Sequence, residues 1–241
     1  MKLELCRVQF SKKDIIKGVK IPDILNEDLA EILGYHVGDG HLRVVPPEYK
    51  LTFSGNKIKD KYYYENYLNP LLKRTFGVPF SLTISKTSDE FRLYMDSKAI
   101  GTFLKNVINL PQRKTFIRIP KIIKNASDDI KIAFIRGFID ADGTFYTKNR
   151  FPPYPVIKAA SSSKFLISDF VPLLKNLGFK PCKAFDMKTV DKRNGKEYVV
   201  HAFYLNGRKN FDLWMKKIGF GNEKHLKLVR NYSRHKNNEI F

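Results

Sequence analysis

The chain has 241 residues, of which 43% are hydrophobic, including 12 tyrosines and 19 phenylalanines; that composition supports a packed core and excludes a disordered chain. Lys and Arg number 44 against 24 Asp and Glu, a formal charge of +20, spread along the sequence as on a folded surface that meets a polyanion: DNA, RNA or an anionic membrane. Cys6, Cys182 and five histidines give neither a disulfide framework nor a zinc spacing, and no apolar run of about 18 residues spans a membrane.

In chain order, residues 1–20 form an N-terminal extension, beginning MKLELCRVQF without a signal-peptide core. Intracellular localisation is expected, in the cytoplasm or nucleoid or in an organelle. Residues 21–115 form a first repeat. It opens with an apolar helix over 27–38, N-capped by Asn26 with Asp28 in its first turn. Strand YKLTFS (49–54), a helix over 57–75, strands SLTIS (81–85) and EFRLYM (90–95), and a helix over 98–108 follow. The join is LPQRKTFIRIP (110–120). Residues 116–241 form a second repeat: a helix over 128–141 capped by Ser127, strand PVIKAA (155–160), a helix over 163–177, and a helix over 208–218. Asn194-Gly195, between DMKTV and EYVVHAFYL, predicts a hairpin. Each repeat is α+β.

Four stretches recur in the same order. IPDIL (21–25) returns as IPKII (119–123), and LLKRTFG (71–77) as LLKNLGF (173–179). LYMDSKAIGTFL (93–104) returns ungapped as FYLNGRKNFDLW (203–214), and ILGYHVGDGHL (32–42) pairs with FIRGFIDADGTF (134–145). Gly34 and Gly38 share one helix face, and Gly137 and Ala141 share another. Faces without side-chain bulk let two helix backbones approach closely. Packing of these faces is expected to bring Asp39 and Asp142 together. Two carboxylates at helix C-termini repel each other and oppose the helix dipole. A divalent cation offsets both, and Mg²⁺, with carboxylate, water and phosphate ligands, fits best. The counterpart of Asp140 in the other copy is Val37, so the position is not symmetrical, and Asp140 is expected to cap or solvate the helix end.

These stretches resemble the LAGLIDADG homing endonucleases, in the monomeric two-motif, archaeal-like form. The nine-residue motif maps loosely onto Ile32-Leu33-Gly34-Tyr35-His36-Val37-Gly38-Asp39-Gly40 and closely onto Ile135-Arg136-Gly137-Phe138-Ile139-Asp140-Ala141-Asp142-Gly143. The resemblance implies a pseudo-twofold, duplicated αββαββα fold with two saddle-shaped antiparallel sheets on the DNA. Gly34, Gly38, Gly137 and Ala141 would line the helix interface. Asp39 and Asp142 would be the catalytic acids, and together with Gly38 and Ala141 they would form the metal site. The metal would be Mg²⁺, with Mn²⁺ or Ca²⁺ able to substitute in binding. Basic side chains are expected around the metals, with Lys98 and Lys158 as candidates. Candidate DNA contacts are Lys50, Thr52, Ser54, Thr83, Ser85, Arg92 and Tyr94 in the first half. In the second half they are Lys158, Lys188, Arg193, Lys196, His201 and Tyr204.

The implied activity is a metal-dependent, staggered double-strand cut at a long DNA site, as in intron homing, by a monomer. The ends carry no splicing residues, so a free-standing or intron-encoded protein is expected. The alternatives are an RNA maturase acting on its host intron and a non-catalytic DNA-binding protein. Loss of an eighth-position acid would mark the latter, and both acids are present.

Overall fold

A computed structural model of the chain describes residues 1–149, 152–190 and 195–237. It divides into two compact units, Met1–Gln112 with Pro120–Phe138, and Arg113–Ile119 with Ile139–Phe241.

In the first unit a 3₁₀ turn (Leu5–Arg7) precedes helix α1 (Lys12–Lys17). Ser11 and Asp14 close a reciprocal capping box, and Gly18 ends the helix in the left-handed conformation. The N-terminal extension is thus built into the unit. Leu3 N–H donates to Asp23 O, Leu25 N–H to Met1 O, and Ala99 N–H to buried Asp14. Helix α2 (Glu27–Asp39) starts where the Asn26 side chain accepts Leu29 N–H. Strands β1 (Gly40–Val45) and β2 (Glu48–Asn56) follow. The next helix begins at Lys61 rather than 57, because Asn56 accepts the N–H groups of Ile58 and Lys59 in a turn. It runs as α3 (Lys61–Tyr63), a π turn (Tyr64–Leu68) and α4 (Asn69–Phe76). Strands β3 (Ser81–Ile84) and β4 (Glu90–Asp96) lead to α5 (Lys98–Thr102), which is prolonged by a π turn. The unit closes with α6 (Lys121–Lys124) and with α7 (Asp128–Asp142) as far as Phe138.

The second unit takes the end of α7, then β5 (Gly143–Lys148), β6 (Tyr154–Ser161), α8 (Lys164–Asn176), β7 (Pro181–Val190), β8 (Glu197–Asn206), α9 (Arg208–Lys217) and α10 (Glu223–Asn237). Each unit holds one antiparallel four-stranded sheet, ordered β1-β2-β4-β3 in the first and β5-β6-β8-β7 in the second. Sequence patterning found β2, β3, β4, β6, β8 and the end of β7, but not β1, β5 or α10. GHLRVV and GTFYTK have few apolar residues and follow a helix without a break. Each begins at the glycine of an Asp-Gly pair.

The register shows that the repeats are equivalent. Gly40 pairs with Phe53 and Thr52 with Tyr94; in the second unit Gly143 pairs with Ala159 and Lys158 with Tyr204. Phe53, Phe91 and Leu93 point to the helix-packed side of the first sheet, as do Ile157, Phe203 and Leu205 in the second. The alternate positions form an open face on each sheet.

The motif helices meet inside the first unit. A Cβ on Gly34 would lie 1.9 Å from Phe134 O, and one on Gly137 would lie 2.1 Å from Glu31 O. Each glycine therefore faces backbone, which cannot rotate aside. Through this contact residues 120–138 pack with the first unit. Gly38 and Ala141, both buried, continue these two helix faces one turn further on. Beside the contact, buried Glu31 is held by Arg136, with Nε 3.2 Å away, and by the Tyr67 hydroxyl at 2.7 Å. Gly34→Ala is expected to cost about 3 kcal/mol through steric overlap, read as a fall in the denaturation midpoint with an unchanged m-value. An unaltered midpoint would contradict the contact.

Candidate functional site

Asp39 and Asp142 are the last residues of α2 and α7. In each case the next residue is the first of a sheet. An acid at that junction lies five residues past its packed glycine. Asp39 is half-buried. Its charge adds to burial and to Tyr64 in raising the Tyr35 phenol well above its usual range.

Asp142 lies in crowded surroundings but keeps solvent access. Burial pushes its carboxyl up, while Lys114 and Lys224 pull it down; the net direction is upward. The Lys224 ammonium donates to Ala141 O at 3.3 Å, meeting one of the open carbonyls at the end of α7. Lys114 and Lys224 were not singled out as site residues, since no spacing ties either to the motif.

Asp140 does not solvate the helix end. It is fully buried, accepts Gly221 N–H at 2.8 Å, and its carbonyl accepts the Asn222 amide at 3.3 Å. It anchors the start of α10.

The two basic candidates separate. Lys158 pairs with Thr144, one step from Gly143, on the open face of its sheet, with its ammonium 5.5 Å from the Tyr204 ring centre. Its counterpart by register is Thr52. Lys98 begins α5 and lies 5.8 Å from the Tyr49 ring. Tyr49 is four residues along β2 from Phe53, the partner of Gly40. That places Lys98 about 13 Å along the sheet from the Asp39 junction, which does not suit a group beside the metal.

In the first unit Lys50, Thr52, Ser54, Thr83, Arg92 and Tyr94 share one sheet face with His41 and Arg43, though Thr52 is buried there. Ser85 lies just beyond β3, where its hydroxyl accepts the N–H groups of Thr87 and Ser88. In the second unit Lys158 and Tyr204 share the open face. His201 does not: it is buried on the packed side, accepts Asp186 N–H at 3.0 Å, and meets the Phe185 ring. Residues 201 and 204 differ by an odd number, so they cannot share a strand face. Lys188 is turned to the same side as Val199, away from the open face, by a bulge between Ala184 and Met187 that resets the alternation. Asp186 sits in this bulge at φ 56°. Lys196 is exposed at the start of the returning arm, and Arg193 lies outside the described residues.

Among the described residues, no group of three or more His, Cys, Asp or Glu is arranged to hold a metal. No helix among the described residues is long and apolar enough to cross a membrane.

Residues 129–219 match the LAGLIDADG-like domain. The chain is similar in fold to I-DmoI in complex with DNA and Mn (TM-score 0.55, 18% identity, 81% of this chain and 98% of that one). It is also similar to I-SmaMI bound to its uncleaved DNA target with calcium ions (0.52, 15%, 90% and 93%). A third likeness is to the I-LtrWI LAGLIDADG homing endonuclease bound to target DNA (0.54, 15%, 88% and 89%). Residues 129–219 are thus a LAGLIDADG-like domain, and the two four-stranded sheets with their helices are those of the duplicated homing-endonuclease fold.

In sequence the chain is 28% identical to part of the replication factor C small subunit of Methanocaldococcus jannaschii, over 84% of this chain and 10% of that protein. It is 25% identical to part of the glutamine–fructose-6-phosphate aminotransferase of the same organism, over 84% and 17%. The chain thus spans less than a fifth of the length of these curated relatives.

A carboxyl whose pKa rises on folding favours the folded state while protonated. That contribution is full below the unfolded value near 3.8 and is lost as pH rises through the folded value. Asp142→Asn, which cannot ionise, is therefore expected to melt above wild type at pH 7, with the gain vanishing near pH 3. A lower melting temperature at pH 7 would show that the ionised carboxylate stabilises the fold.

Proposed function

We propose that the protein is a site-specific DNA endonuclease that makes a metal-dependent, staggered double-strand cut. One observation carries this reading. Each motif helix ends in an aspartate, and the next residue opens a sheet with a polar, cation-bearing open face. The reaction would then occur where a strand of DNA laid on that face meets the acid.

Asp39 and Asp142 would hold the divalent ions, each serving one strand, with Gly38 and Ala141 adjoining. Bound Mg²⁺ would polarise the phosphodiester and supply activated water. Lys158, one step from the Asp142 junction, would steady the phosphate, and Lys224 would hold the end of α7 through Ala141 O. Open-face side chains would set the register on the duplex by phosphate contacts and read bases in the major groove. The fold shared with DNA-bound I-DmoI, I-SmaMI and I-LtrWI supports this reading. So does sequence similarity confined to a small part of large proteins with unrelated names, the pattern of an inserted mobile element.

The experiment is cleavage selection on a randomised duplex library with Mg²⁺, with EDTA, and with Asp142→Asn. One long site cut by wild type only with Mg²⁺, and cut at least about 100-fold more slowly by the variant, is expected. Cutting by Asp142→Asn at the wild-type rate would remove the assignment. Tight binding to structured RNA without DNA cleavage would favour a maturase instead.

A further inference from the structure

The two open faces differ in chemistry. In the first unit three cations each lie beside an acid on the same face. Arg43 pairs with Glu48, Lys50 lies 3.5 Å from Asp96, and Arg92 makes two parallel bonds to Glu90, at 3.0 and 2.9 Å. All six side chains are more than a third exposed, so these pairs add little to stability. Acids on a surface that meets phosphate would weaken binding by charge alone. Their chemical use there is to fix the guanidinium forks and to accept hydrogen bonds. Arg and Lys match the O6 and N7 acceptors of guanine, and Glu and Asp match the N4 donor of cytosine.

The second unit's open face is built otherwise. The β5–β8 positions that share it with Lys158 carry no acidic residue. The apolar ones that keep solvent access are Ala160, Ala184, Met187 and Val200. Lys148 and Lys158 lie over tyrosine rings, 5.7 Å from Tyr154 and 5.5 Å from Tyr204, as Lys50 lies 5.0 Å from Tyr94, but unlike Lys50 they have no acid on the same sheet face. Small apolar side chains in a major groove meet the one apolar group a base pair presents there, the thymine methyl.

We propose that the two halves of the DNA target differ in base type: the first unit reads a G·C-rich half-site through the acid-buttressed Arg43, Lys50 and Arg92, and the second reads an A·T-rich half-site through Ala160, Ala184, Met187 and Val200 on its open face. This rests on the DNA-endonuclease reading above and adds the kind of sequence each sheet takes.

The test begins with selection of bound duplexes from a randomised library by the full wild-type chain in EDTA. Selection with Arg92→Ala and with Lys158→Ala then assigns each half of the site to a sheet. Thermal melts confirm that both variants are folded. The positions disturbed by Arg92→Ala are expected to be G·C, and the half disturbed by Lys158→Ala is expected to be rich in A·T. In that site, 7-deazaguanine, which lacks the N7 acceptor, should weaken binding about tenfold in the first half only. Uracil for thymine, which removes the methyl, should weaken binding several-fold in the second half only. Arg92→Lys, which keeps the charge but loses the fork, should relax base preference at the same positions as Arg92→Ala.

A selected site of even composition, the reverse pattern, or indifference to both base analogues would overturn this proposal and leave the endonuclease reading standing. Failure to select any sequence, together with no cleavage of the library in Mg²⁺, would overturn both.

Discussion

The first unit depends on one backbone contact. Gly34 sits against Phe134 O and Gly137 against Glu31 O, so α2 and the body of α7 meet backbone to backbone. That approach fixes the helix axes and leaves no room for even a methyl group. It also brings Glu31 within reach of Arg136 and Tyr67. Glu31 is a buried charge that would be costly if either partner were removed. The contact thus accounts both for the small residues in the motif and for the polar group buried next to them.

The chemistry follows from what the helices do next. Each continues five residues beyond its packed glycine and ends at an aspartate, and each then becomes a strand without a connecting loop. A carboxylate at a helix C-terminus is in an unfavourable field, and at Asp142 burial adds to the penalty while Lys114 and Lys224 reduce it. A protein that holds acids in such positions spends stability on them, which is common where a charge is kept for a ligand rather than for the fold. Asp140 illustrates the contrast. Two residues away, it is buried and bonded to Gly221 N–H, and it anchors the chain entering α10.

Much of this was legible in the sequence because it rests on spacing. The helix caps at Asn26, the small-residue faces, the Asp-Gly pairs and the ungapped match of 93–104 to 203–214 are all read directly. Register and bulges are less legible. β1 and β5 were missed because a strand that starts on the residue directly after a helix carries no boundary signal. Lys188 faces the wrong way because one extra residue in β7 resets the alternation, and no residue pattern announces that bulge. His201 could have been excluded by parity against Tyr204. Lys98 looked suitable by its place in the repeat, yet the sheet register carries it away from the Asp39 junction. Lys114 and Lys224 lie near Asp142 through tertiary packing, which spacing does not encode.

The central claim is that Asp39 and Asp142 exist to hold divalent ions on DNA. The most direct measurement is electron paramagnetic resonance of Mn²⁺ bound by the complex of the protein with its selected duplex, comparing wild type with Asp39→Asn, Asp142→Asn and the double variant. Loss of bound Mn²⁺ in each single variant, and its near absence in the double variant with the duplex still bound, is the predicted result. An unchanged count of bound Mn²⁺ in the double variant would contradict the account.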